Sequence, residues 1–308
     1  MNTMEFKNLI GNETTVTPID KEGFQEGLRH MSVPFGVKIP STWQPPEGFT
    51  LEKFEIEGVA VERISPVNGG NGKIILNFHG GAYTIALIDN GRIPSSLYAE
   101  KVPGSVVYNI DYRVAPTDPY PAALEDCITV YKWLLKEGHK GKDIVFTGES
   151  AGGGLELAVT HYLKDHQIEL PKGILAISPW TDLTYTTPSR TLNIPNDIML
   201  GEGGWELVIN EVKNSSYIGT ADPTHPYISP AFGDFTGFPK MLIQVGSFDI
   251  IYDDSVKVAN KAEAAGVDVK ISSYYGMTHC FQQFFYEIPE SQMAWEEIVT
   301  FLNECFSC

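Results

Sequence analysis

The sequence predicts an α/β protein in which a mostly parallel sheet is covered by helices on both faces, and three observations predict it. Five short apolar runs recur along the chain: Ile74 to Phe78, Val106 to Ile110, Ile144 to Phe146, Ile174 to Ile177 and Leu242 to Val245. Runs of this kind fill central strands buried on both sides. Helical stripes stand between them, with Leu124, Cys127, Ile128, Tyr131, Leu134 and Leu135 in one and Leu155, Ala158, Val159, Tyr162 and Leu163 in another. The chain of 308 residues, 43% of them apolar, suffices for one continuous sheet and a modest insertion without a second full domain.

In chain order, residues 1–45 fit the alternation poorly and are expected to form the N-terminal part of a cap. Phe54 to Gly58 and Val59 to Ile64 are expected as an antiparallel edge hairpin, with Asn68-Gly69-Gly70-Asn71-Gly72 as a turn before the next strand. The core then occupies 46–184 and 217–308. Residues 185–216 open a stretch with five prolines from Pro188 to Pro230, expected as the inserted part of the cap. Ser255 to Ala265 reads as a helix closed by Gly266, and Val267, Val269 and Ile271 alternate as a last strand.

The charge excludes several partners. With 22 basic and 39 acidic residues the net charge is -17, which repels nucleic acid and anionic membrane. Met1 to Asn8 lacks the basic start and apolar stretch of a secretory signal, and no apolar run reaches the roughly twenty residues that span a bilayer. A cytoplasmic location is the expectation. The four cysteines, Cys127, Cys280, Cys305 and Cys308, have no metal-like double spacing, and Cys305-x-x-Cys308 is expected to lie in a solvated tail.

The strongest chemical signal is Gly148-Glu149-Ser150-Ala151-Gly152-Gly153, placed between a strand and a helical stripe. Small residues on either side of the serine permit a turn sharp enough to lift its hydroxyl clear of the sheet, as a nucleophile elbow requires. As a bare pattern it is weak, because a glycine-rich turn with serine as helix cap looks the same. Its strand-turn-helix context decides in favour of the elbow. His79-Gly80-Gly81-Ala82 follows another strand and could supply backbone amides to an oxyanion, or be a plain turn with a structural histidine.

An α/β-hydrolase fold takes its acid and then its histidine from later strand ends. Asp249 and His279 occupy those places. His30, His139, His161, His166 and His225 do not, and are expected on the surface or in packing. Asp182, Asp253 and Asp254 compete with Asp249, although the latter two fall at a helix start, where carboxylates often serve as caps.

With these residues in place the chain resembles the bacterial hormone-sensitive-lipase-like esterases, from about Phe54 to about Phe281. Further matches are Asp111-Tyr112-Arg113-Val114-Ala115-Pro116, Tyr120-Pro121-Ala122-Ala123-Leu124-Glu125-Asp126 and Ser178-Pro179-Trp180-Thr181-Asp182-Leu183. The resemblance implies an α/β-hydrolase fold and a serine carboxylesterase with Ser150 as nucleophile, His279 as base and Asp249 as acid. It also implies oxyanion donors in the amides of Gly80, Gly81 and Ala151, and homodimers. No metal or organic cofactor is implied, and the partner is a small-molecule ester. Lactone or amide hydrolysis would use the same machinery, and a non-catalytic binding protein would keep the pocket without the chemistry. Three positions depart from the family pattern: Ala82 in place of the third glycine, Cys280 in place of glycine after the histidine, and Ile250 in place of proline after the acid.

Overall fold

The computed structural model describes residues 7–30, 33, 35–38 and 40–307. Its strands are β1 (Leu9–Ile10), β2 (Phe49–Ile56), β3 (Val59–Pro66), β4 (Ile74–Phe78), β5 (Val106–Asp111), β6 (Ile144–Glu149), β7 (Gly173–Ile177), β8 (Lys240–Gly246) and β9 (Val269–Tyr274). The helices are α1 (Lys21–His30), α2 (Asp89–Lys101), α3 (Ala122–Lys136), α4 (Ala151–Asp165), α5 (Ser189–Leu192), α6 (Glu206–Lys213), α7 (Tyr252–Ala264), α8 (Phe281–Phe284) and α9 (Pro289–Ser307).

The nine strands form one sheet in the order β1-β9-β8-β7-β6-β4-β5-β3-β2. Only the β2–β3 and β3–β5 pairs are antiparallel. Alternate residues of the central strands face opposite layers, as the pleat dictates. Leu76 and Phe78 of β4 join Cys127, Tyr131, Leu155 and Val159 of α3 and α4. Ile75, Val145 and Leu175 join Tyr98 of α2 and Trp295, Ile298 and Leu302 of α9 on the other side. Both faces are thus covered, as the double-sided apolar runs require.

Three expectations change. The edge hairpin turns at Glu57-Gly58, but β2 starts at Phe49, because Phe49 and Leu51 already pack against the α2 and α9 layer. Residues 1–45 are not all cap: Leu9 and Ile10 pair in parallel with Ser273 and Tyr274 and extend the sheet. Cys305 is not in a solvated tail but fully buried on α9, in the cluster that covers the sheet. Cys308 lies outside the described residues.

Residues 185–216 meet the rest of the chain through polar contacts as well as apolar ones. Gln25 of α1 donates from Nε2 to the carbonyls of Ile198 and Glu202, at 3.1 and 2.9 Å. Arg190, fully buried, donates to Asp254 at 3.0 Å and lies over the ring of Trp180. No described helix is long and apolar enough to cross a membrane.

Candidate active site

The site forms where β4, β6, β8 and β9 end. Parallel strands all point their carboxyl ends to one side, so the loops leaving them meet there. Ser150 is the single residue between β6 and α4 and takes φ 55°, ψ -119°, a conformation that costs a non-glycine residue about 1–3 kcal/mol. Its backbone is pinned on three sides. The Ser150 amide donates to Ile177 O at 2.9 Å, and its carbonyl accepts from Trp180 at 2.8 Å and Gly154 at 3.1 Å. Space enforces the surrounding glycines: a Cβ at Gly152 would lie 1.9 Å from the Phe78 carbonyl oxygen, and one at Gly154 2.1 Å from that of Trp180.

Asp249 follows β8 and His279 follows β9, and the two side chains meet: His279 Nδ1 lies 2.8 Å from Asp249 Oδ2. Both are almost wholly buried. Burial disfavours charge on the imidazole, yet the Asp249 carboxylate, with the Cys280 sulfur beside it, outweighs that and holds the ring's ionisation well above the ordinary histidine range. The competing acids are engaged elsewhere. Asp253 Oδ2 accepts from the Ser189 amide at 2.7 Å, Asp254 pairs with Arg190, and Asp182 pairs with Lys257 at 2.8 Å.

Ser150 and His279 line one cavity, together with Gly80, Gly81 and Ala82. Among the expected oxyanion donors, Gly80 is a correction. Its amide already donates to Glu149 Oε1 at 2.8 Å. The amides of Gly81, Ala82 and Ala151 have no acceptor among the described residues. Ala82 and Tyr83 both take positive φ, 54° and 61°, so the alanine pays the left-handed cost that glycine would escape. The Tyr83 ring holds this loop by stacking on Tyr217 at 4.0 Å. His79 is structural: it stacks on Tyr112 at 4.0 Å, and burial pushes its imidazole down to about 4.

The walls of the cavity include Ile85, Met199, Leu200, Trp205, Val208 and Phe284. Met199, Leu200 and Trp205 belong to residues 185–216, the stretch expected as the inserted part of the cap, whereas Leu207 of the same stretch is 46% exposed. Phe24 packs on Phe284 and Phe285 behind the wall. Cys280 also lines the cavity and takes φ 49°, a left-handed value suited to the glycine that the resemblance places there.

Two carboxylates are more involved in the site than sequence reasoning foresees. Asp197, within the stretch expected as the inserted part of the cap, is fully buried behind the Asp249 turn. Glu149, an unnamed position of the elbow motif, is buried on the cavity wall, and burial pushes its carboxyl up to about 7. Its folded form therefore keeps a proton that the unfolded chain releases near the model-peptide value of 4.5. The associated stability is full below about pH 4.5 and lost as pH rises through about 7. Glu149→Gln, which cannot titrate, is expected to gain on the wild type across that interval and level off above it. Urea unfolding of both proteins at about pH 5 and about pH 8 checks this, and an unchanged gap would show that Glu149 ionises normally.

Comparisons with known proteins agree with this arrangement. Residues 75–283 match the family described as having the alpha/beta hydrolase fold. An esterase of Acinetobacter venetianus is 34% identical over 251 residues, covering 82% of this chain and 81% of its own. An acetyl-hydrolase of Streptomyces hygroscopicus is 34% identical over 233 residues, covering 76% of each. Among solved structures, an esterase/lipase from an uncultured bacterium superposes with a TM-score of 0.81 at 30% identity, over 95% of this chain and 100% of that one. An esterase from the bacterial hormone-sensitive lipase family does so at 0.79 and 29%, over 96% and 94%. With the strand order, the elbow and the His279–Asp249 contact already in hand, these likenesses place the chain in the alpha/beta hydrolase family, among the hormone-sensitive-lipase-like carboxylic ester hydrolases.

Proposed function

We propose that the protein hydrolyses short-acyl carboxylic esters through an acyl-enzyme on Ser150. The observation that carries this reading is the 2.8 Å contact between His279 Nδ1 and Asp249, made beside a cavity that Ser150 and His279 both line. In this reading His279 Nε2 takes the Ser150 proton as Oγ attacks the carbonyl carbon. The carbonyl oxygen, now negative, accepts from the unengaged amides of Gly81, Ala82 and Ala151. His279 then returns the proton to the leaving alkoxide, and water repeats the cycle to release the acid.

The apolar lining of the cavity sets the expected acyl length. A closed apolar pocket rewards each methylene that fits by up to about 0.8 kcal/mol, close to fourfold in kcat/KM, and rejects the first that does not. Trp205, Leu200 and Phe284 are among the residues that line the cavity. The kcat/KM for p-nitrophenyl esters from acetate to palmitate is expected to peak at or below about six acyl carbons. Emulsified triglyceride is expected to give no jump in rate as droplets form. A maximum on long chains, or such a jump, would overturn the short-acyl reading. Lactones and anilides run in the same panel compare the other substrates open to this chemistry.

A further inference from the structure

The inserted segment does more than line the cavity. The turn that carries Asp249 is held from outside the sheet by residues 189–197 as well as by the loop after β9, where the Phe248 amide donates to the Met277 carbonyl at 3.0 Å and the Gly276 amide to Ser247 Oγ at 2.9 Å. Asn193 Nδ2 donates to the carbonyls of Ser247 and Asp249, at 3.0 and 2.7 Å. Ser189 Oγ donates to the Ile250 carbonyl at 2.8 Å. The Ile250 amide donates to Asp197 Oδ2 at 3.0 Å.

Asp197 is the node of this arrangement. Its other oxygen, Oδ1, accepts from the amides of Met199 and Leu200 at 3.0 and 3.1 Å, and from the hydroxyl of Thr278, the residue before His279. One carboxylate therefore binds the turn of Asp249, the loop of His279 and two of the residues that the segment contributes to the cavity wall, Met199 and Leu200. All four partners are donors. A carboxylate only accepts, so it satisfies them all, whereas an amide of the same shape would turn an NH₂ group against one set. The site is fully buried, where an unmet donor costs most.

We propose that Asp197 is a positioning residue that fixes the separation of Asp249 and His279 and couples it to the cavity wall at Met199 and Leu200. The proposal rests on reading these two residues as acid and base. Its consequence is that a change at Asp197 is felt in kcat and in acyl selectivity together, although Asp197 does not line the cavity. A residue that merely stabilised the fold would lower the amount of active protein and leave the acyl preference of the remainder unchanged.

The test compares wild type, Asp197→Asn and Thr278→Val, each held well below its own unfolding temperature and counted by active-site titration with a p-nitrophenyl phosphonate. Asp197→Asn is expected to lower kcat per titrated site by about 10- to 100-fold, the range typical of lost positioning groups, and to flatten the acyl-length preference. Thr278→Val keeps the carboxylate and its three amide partners, and is expected to lose about 3- to 10-fold in kcat with the acyl preference intact. The far-downfield proton of the His279 Nδ1 hydrogen bond, read by proton NMR, is expected to shift or broaden in Asp197→Asn. Full kcat per site with wild-type acyl preference and an unmoved proton signal in Asp197→Asn would overturn the proposal. Should Asp197→Asn not fold, unchanged kcat per site together with an unmoved proton signal in Thr278→Val would overturn it. Wild-type activity in Asp249→Asn would instead overturn the underlying acid assignment, so the two failures are told apart.

Discussion

Replacing Ser150 with alanine is expected to reduce turnover by about 10⁴-fold or more while leaving the fold intact, because the loss of a nucleophile removes the covalent route itself. Folding should be indifferent. Alanine meets the same cost at φ 55° as serine does, and the hydroxyl makes no hydrogen bond among the described residues. The elbow is held by backbone contacts to Ile177, Trp180 and Gly154, which survive the change. Rates for p-nitrophenyl acetate with matched circular dichroism spectra measure both halves. Retention of more than about a tenth of the activity, a loss below roughly 1.4 kcal/mol, would remove Ser150 from the role.

The second large effect is expected at Asp249. Asparagine there leaves the shape but presents an amide to His279 Nδ1, which favours the wrong ring tautomer, a fault worth up to about 10⁴ in kcat. Asp253→Asn is expected to cost under about tenfold, since its carboxylate touches the Ser189 amide and not the imidazole. The reverse ranking would move the acid role to Asp253. The pH dependence of the same proteins adds an independent check. Because Asp249 holds the ring's ionisation well above the ordinary range, the acid limb of kcat/KM in the wild type should lie above about pH 6.5. In Asp249→Asn that support is gone while burial remains, so the limb should move to lower pH.

Much of this was legible in the sequence because it depends on local pattern. The central strands are short runs buried on both faces, and Ser150 is announced by glycines that the turn demands. Asp249 and His279 follow from strand ends in a fixed order. What escaped detection depends on distance along the chain. Helix α2 carries Gly91 and Pro94, which read as breakers, and it holds its place through Arg92, whose guanidinium meets Glu62 of β3 at 2.7 Å. The buried stripe of α9, Ala294, Trp295, Ile298, Leu302 and Cys305, has helical spacing and was open to detection, but the Cys-x-x-Cys pair drew attention to the wrong property. Neither the Gly80–Glu149 bond nor the Asp197 node has a local signature. An acidic residue among glycines and apolar side chains gives no sign of four donors arriving from three other places.

The crowding around the elbow bears on how sequences of this kind drift. Gly148, Gly152 and Gly154 are each confined by backbone within 2.6 Å of where a Cβ would stand, so substitution there is barred by the fold whether or not the protein turns over a substrate. A descendant released from selection for hydrolysis would keep them, and would still display most of the motif. The group free to change is the Ser150 hydroxyl, which makes no hydrogen bond among the described residues, whereas the backbone that carries it is held by Ile177, Trp180 and Gly154. Retained glycines in a relative therefore testify to shared ancestry of the scaffold. A retained serine hydroxyl, which the scaffold does not need, is what testifies to continued use.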